Sequence, residues 1–192
     1  HVTITNNDIG MKLSRSAPSL THVIISNNSA QKGAGMYAWN ESNPILTNVS
    51  ITNNTAFLWG GGIYLKDNSH ATLTYVTIAN NTAGYGGAIY FTDSNAILTN
   101  SIIWNNGLEP IYIYNFQSDE DPIIAYSDIE GGWEGEGNID TDPLFTDPDN
   151  GDYTLQQGSP CIDTGIAIGG MEYYGSAPDM GAYEFGESFE IM

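Results

Sequence analysis

Apolar and polar positions alternate along the first two thirds of the chain, and the alternation returns in phase about every 26 residues. Val49-Ser50-Ile51 and Val76-Thr77-Ile78 each read apolar, polar, apolar with β-branched side chains, a period of two that predicts strand. No stretch carries the 3.6-residue rhythm of an amphipathic helix. The phrase Pro44–Tyr64, PILTNVSITNNTAFLWGGGIY, returns as Ala71–Tyr90, ATLTYVTIANNTAGYGGAIY. It occurs earlier in looser form as Pro18–Tyr37 and begins again at Ala96. Asparagine pairs mark each copy: Asn27-Asn28, Asn53-Asn54, Asn80-Asn81 and Asn105-Asn106.

A repeat of this length excludes a propeller blade, which needs ~40 residues, and the strand period excludes helical arrays. The fold class expected is all-β: a parallel β-helix, one coil per repeat, with successive coils ~4.8 Å apart. Eight residues always separate the leucine from the second asparagine, which predicts stacked strand. The interval from that asparagine to Tyr37, Tyr64, Tyr90 and Tyr114 varies between 8 and 10, which predicts loops. Three interior columns follow: Ile4, Ile25, Ile51, Ile78 and Ile103; Leu20, Leu46, Leu73 and Leu98; and Met36, Ile63, Ile89 and Ile113. Each buried aliphatic contributes ~1.5–3 kcal/mol, and no coil can bury its own face alone. A fifth coil begins at Pro122, with Ile124 and Ile129 continuing two columns and Gly131-Gly132 replacing the asparagine pair. The expected organisation is coils over 1–130 and an acidic capping segment over 131–192.

Asparagine tolerates the left-handed backbone of a sharp corner, and stacked amides can bond along a ladder. Asn27, Asn40, Asn48, Asn53 and Asn80 also begin glycosylation sequons, but their recurrence with the repeat favours the turn role. Gly33, Gly35, Gly60–Gly62, Gly86 and Gly87 read as a second tight corner rather than a phosphate cradle, since they open no helix.

Charge divides the chain at the end of the regular coils. Residues 1–118 hold 5 of the 23 acidic groups and all 4 basic ones; residues 119–192 hold the other 18 and no lysine or arginine. That balance disfavours nucleic acid and anionic membranes as partners. No run of about 18 apolar residues offers a membrane span, so no membrane insertion is expected.

Beyond Gly131 several phrases stand out: Asp142-Pro143-Leu144-Phe145, Asp152-Tyr153-Thr154-Leu155, Gly158-Ser159-Pro160-Cys161-Ile162-Asp163 and Asp179-Met180-Gly181-Ala182-Tyr183. This tail resembles the C-terminal segment of bacterial β-helix surface proteins of the choice-of-anchor Q type. The coils resemble, more loosely, those of polymorphic outer-membrane and adhesin-type passengers. The resemblance implies a bacterial protein that is secreted or displayed at the cell surface. With the usual crossover rule, it also implies a right-handed helix. A structural or adhesive role without catalysis is the expectation; a carbohydrate-binding or carbohydrate-cleaving β-helix is the alternative.

Candidate chemistry is sparse. Strand alternation turns Tyr37, Tyr64, Tyr90 and Tyr114 outward as an aromatic strip, either stabilising the sheet or offering a platform to a glycan or cell-surface partner. Asp67 and Asp93, each three residues after a tyrosine, would stack in adjacent coils. They are either a carboxylate pair of the kind glycosidases use or members of a polar turn column with Asn40 and Gln117. A lyase acting on acidic polysaccharide would need clustered cations, and Lys12, Arg15, Lys32 and Lys66 show no cluster in the sequence. Asp147, Asp149 and Asp152 resemble a calcium loop, but glycine and glutamate do not fall where an EF-hand needs them. A looser calcium site, or an ordinary turn, remains; no other cofactor is expected. His1, His22 and His70 are scattered, and Cys161, the single cysteine, reads as a small buried residue. The chain opens inside a strand at Val2, so an uncovered coil face and self-association through coil ends are expected.

Overall fold

Each repeat lays down strands that pair, side by side and in parallel, with the same strands of the coils on either side. The computed structural model describes residues 2–114 and 121–186; Gln117 and His1 lie outside them. Three sheets run along the coil axis, and no α-helix occurs among the described residues. A nine-stranded sheet gathers the leucine and isoleucine columns, its longest members being Ile45–Thr52 and His70–Ala79. A narrow sheet joins Ser29–Lys32 to Thr55–Trp59. A five-stranded sheet stacks Met11–Ser14, Met36–Trp39, Ile63–Lys66, Ile89–Thr92 and Ile111–Tyr114.

The first two columns stand as the spacing predicts. Ile4, Ile25, Ile51, Ile78, Ile103 and Ile129 pair in succession, as do Leu20, Leu46, Leu73, Leu98 and Ile124. The third column is corrected at its last member: Ile89 pairs with Ile111, and Ile113 pairs with Phe91. The fourth coil turns its corner in fewer residues than the others: Ile111 follows Asn106 by 5, whereas Met36, Ile63 and Ile89 follow Asn28, Asn54 and Asn81 by 8 or 9. Matching on tyrosine alone, when Tyr112 and Tyr114 both follow, selects the wrong one.

The corners use backbone that only certain residues tolerate. Asn27, Asn53, Asn80 and Asn105 adopt φ of 54–56°, the left-handed region open to asparagine. Their neighbours turn inward as a ladder. The side-chain amide of Asn28 donates to Asn54 Oδ1 at 2.9 Å, Asn54 to Asn81 Oδ1 at 2.9 Å, and Asn81 to Asn106 Oδ1 at 3.0 Å. Each of the last three also donates to an isoleucine carbonyl of the preceding coil, so no amide is left unpaired in the core. A second ladder runs through Ser42, Ser69 and Ser94, each hydroxyl accepting a backbone N–H from its neighbour.

The C-terminal segment divides into two parts. Trp133 packs against the core, and Asn138 closes a third ladder by accepting from Ser127 N at 3.0 Å, so residues near 133–139 seal the last coil. The remainder does not cover a coil end as the capping expectation held. It folds back along the outer face of the nine-stranded sheet as a lateral strap. Ala182 N donates to Thr77 Oγ1, Gly181 N to the Asn100 carbonyl, and the Asn100 side chain exchanges two bonds with the backbone of Ile166. The outward row Ser50, Thr77, Ile102 and Asp128 is buried in consequence. Apolar Ile102 at a solvent-facing position required a cover, and Leu155, Cys161 and Met180 supply it.

Candidate functional site

The site is an elbow between the narrow and five-stranded sheets. Gly33, Gly60 and Gly86 turn it with φ of 57–64°. A Cβ on Gly60 would lie 2.5 Å from the Ile63 carbonyl oxygen, so only glycine lets the chain bend this sharply. The residue before each corner glycine is large (Lys32, Trp59, Tyr85), and these three stack in register. The residue four beyond is the strip tyrosine. The bend folds the two rows toward each other, and Trp59 meets Tyr64 edge to face at 6.1 Å.

The tyrosines do point outward, opposite the buried isoleucines. The strip is Tyr37, Tyr64, Tyr90 and Tyr112, so Tyr114 is corrected for the same reason as Ile113. Tyr114 stands one row over, beside Thr92, and is 52% exposed. Tyr37 and Tyr64 stack at 5.0 Å and 8°, and Tyr90 and Tyr112 at 5.3 Å and 5°, while Tyr64 meets Tyr90 edge-on at 84°. Trp59 lies over Tyr90 at 5.7 Å. Each such pair is worth about 0.5–1.5 kcal/mol beyond simple burial. Tyr64 and Tyr90 are 3% and 6% exposed, shielded by these neighbours although they lie outside the barrel. Burial raises the pKa of Tyr37 and Tyr64 and pushes Tyr90 up to about 12, so these phenols remain protonated donors at neutral pH.

A half-open cavity of about 540 Å³ occupies the elbow, lined by Lys32, Tyr37, Trp59, Tyr64, Lys66, Tyr90, Thr92 and Tyr114. Tyr64 Oη and Thr92 Oγ1 share a hydrogen bond at 3.2 Å across its floor. The Lys32 ammonium rests 3.9 Å above the Trp59 ring, and Lys66 pairs with Asp67 at 3.2 Å, which raises its pKa. Lys12 sits 5.3 Å over Trp39 on the same side of the coils. Lys32 and Lys66, 34 residues apart in the chain, line the same cavity once the coils stack. Sequence reasoning missed Lys32, Trp59, Lys66 and Thr92 as site residues. The large residue before each corner glycine was the signal that could have found them.

The other candidates lie elsewhere. Asp67 and Asp93 occupy left-handed corner positions, φ 56° and 46°, in the column that also holds Asn40. Asp67 is engaged by Lys66. Asp147, Asp149 and Asp152 form a hairpin turn: Asp147 Oδ2 accepts from Asn150 Nδ2 at 2.8 Å and Asp152 Oδ1 from Thr154 N at 3.0 Å. No group of three or more His, Cys, Asp or Glu that could hold a metal ion occurs among the described residues. His22 belongs to another left-handed column, with Asn48, Tyr75, Asn100 and Tyr126, which explains asparagine at two of its members. Cys161 is buried against the coils and its thiol donates to Asp128 Oδ2 at 3.2 Å. Burial pushes the thiol pKa up, the reverse of what a nucleophile needs.

A family model described as a right-handed β-helix region matches residues 1–128. No curated protein matches the chain, and no solved structure does.

Proposed function

The chain belongs to the right-handed β-helix family, and from that premise we propose that it is a non-catalytic adhesive β-helix of the cell surface whose elbow cavity binds glycan. One observation carries the reading: an open, concave site of sugar-ring size, floored and walled by aromatic rings and phenol hydroxyls. Among the described residues its lining holds no carboxylate that could serve as general acid or base, and the lining Lys66 is paired with Asp67. The site stands on rigid strands rather than on a mobile loop, as pre-organised recognition requires. The resemblance of the tail to bacterial surface proteins supports placement outside the cell.

A panel of soluble glycans, assayed together for binding and for cleavage products, tests this. Binding without products is the expected result, abolished by Trp59→Ala in a protein that keeps its far-UV spectrum. New reducing ends or unsaturated products would replace the adhesive reading with an enzymatic one. No binding across the panel would remove the glycan altogether.

A further inference from the structure

The corner column of Asn48 and Asn100 also holds two tyrosines, Tyr75 and Tyr126, in left-handed backbone at φ 54° and 50°. A bulky side chain is costly in that conformation. Tyr126 donates its hydroxyl to Glu136 Oε1 at 2.7 Å. Tyr75 is 5% exposed, and its Oη is buried with no hydrogen-bond partner among the described residues. Asn100, beside it in the column, gives both its amide and its oxygen to the backbone of Ile166. A buried polar group in this state calls for a reason. Tyr75 forms the buried wall of a cavity of about 310 Å³ between the coils and the strap. The strap lines the facing side with Met171, Glu172, Tyr174 and Glu184, and His22 lines the coil side. Two backbone N–H groups hold the Glu184 carboxylate in place, from Tyr174 at 3.3 Å and Asp179 at 3.0 Å. Burial raises the pKa of Tyr75 and the Glu184 charge adds to the rise, so the phenol lies within that carboxylate's field. No lysine or arginine lines the cavity, and none occurs after residue 118.

We propose that this cavity binds an organic cation, an ammonium or guanidinium group on an alkyl stem, with Glu172 and Glu184 pairing with the charge and Tyr75 Oη accepting one of its N–H groups. The site is separate from the elbow and does not depend on the glycan reading. His22, Glu172 and Glu184 line one cavity yet do not converge as a metal site would. A cation with several donors spread over its head group suits such dispersed acceptors, and its stem would lie along Tyr174 and Met171. The 18 acidic groups of residues 119–192 draw it in from a distance.

Charged and neutral twins provide the test, by calorimetry on the whole chain. N-acetyl-lysine methylamide and N-acetyl-arginine methylamide carry the cation on a peptide side chain, and cadaverine carries it on a free amine. N-acetyl-norleucine methylamide is the neutral twin of the lysine. At least one of the cations binds at a single site and at least about tenfold tighter than the norleucine twin. The tighter ligand tells a basic peptide from a free amine. Glu172→Gln weakens that cation about tenfold, while Glu134→Gln, at an exposed position outside the cavity, leaves it unchanged. Tyr75→Phe weakens it severalfold with no fall in melting temperature, because the hydroxyl it removes bonds to nothing in the ligand-free fold. The bound cation joins strap to coils, so it slows proteolysis between residues 142 and 186 in the parent but not in Glu172→Gln. Norleucine binding as tight as lysine, or no binding by any of the four, overturns the proposal. Equal loss with Glu134→Gln and Glu172→Gln also overturns it, because attraction would then be diffuse rather than sited. So does a Tyr75→Phe variant that binds as tightly as the parent.

Discussion

Asn81 and Asp128 are both fully buried polar side chains in the same stack of strands, and they meet that situation in different ways. Asn81 sits inside the coils, where the next coil supplies an identical partner. Its amide donates to Ile51 O and Asn106 Oδ1, and its carbonyl accepts from Asn54 twice. Asp128 faces outward beneath the strap and depends on partners that occur once: Thr141 N at 3.2 Å and the weak Cys161 thiol donor at 3.2 Å. Burial pushes its pKa up to about 6, with Asp140 and Asp142 adding to the rise. The ladder solves burial by repetition, so each solution serves every coil. The strap solves it by single contacts, some incomplete. Stability should accordingly be cooperative in the coils and separable in the strap.

The largest blow to the comparison falls in the coil interior. Ile78→Asp places an unpaired charge in the central column, costs several kcal/mol and should yield insoluble or unfolded protein, read by circular dichroism. A soluble native-like variant would break the register assignment. Asn81→Ala comes next. It strips two donors of Asn54 of their acceptor and leaves the Ile51 carbonyl and Asn106 Oδ1 short of partners, for a loss of about 2–4 kcal/mol in a single cooperative denaturant transition. Two transitions would mean that the ladder does not couple the coils.

Gly181→Ala addresses the strap alone. At φ 99°, a Cβ there would lie 2.8 Å from Ile102 Cδ1 and 3.0 Å from Thr77 Oγ1. The expected loss is about 1–3 kcal/mol, seen as faster proteolysis between residues 142 and 186 while the coil transition stays put. A matching drop in the coil transition would show that strap and coils are one unit.

The smallest effect is the dependence on pH. Because Asp128 titrates higher in the fold than in the unfolded chain, the fold penalises its charged form. Its contribution is full below about pH 4 and is lost as pH rises through about 6. The strap should be tighter at pH 5 than at pH 7.5, and Asp128→Asn should remove that part of the difference, about 1–2 kcal/mol. Buried Asp179, also raised, contributes in the same direction, so the variant rather than the parent slope is diagnostic. An unchanged slope in Asp128→Asn would exonerate this carboxylate.

The coils were legible because repetition multiplies the signal. Ile25, Ile51, Ile78 and Ile103 announce their stacking through spacing alone, and the structure places them as spaced. Where one coil shortens a corner, the same method slips, as at Tyr112 and Tyr114. The strap left no period to read. Nothing local in Asp179-Met180-Gly181-Ala182-Tyr183 says that it docks on Thr77, about a hundred residues earlier, instead of across a coil end. The elbow was half legible: the glycine corner and the tyrosines were visible, whereas Lys32 and Lys66 come to one cavity only in three dimensions.

The lateral strap also fixes how the molecule would carry load. Bonds between coils run along the axis, so a pull applied to the first or last strand of a coil stack opens one strand at a time, as a zip does. A pull on the C-terminal side of this chain enters elsewhere. It passes through Ala182 and Gly181 to Thr77 and Asn100, and through the Tyr183 phenol to Ser50, which belong to different coils. Force is thereby shared across several coils at once and meets their strands in shear, the direction in which parallel hydrogen bonds resist together. In an adhesive molecule, the strap would act as a strain relief.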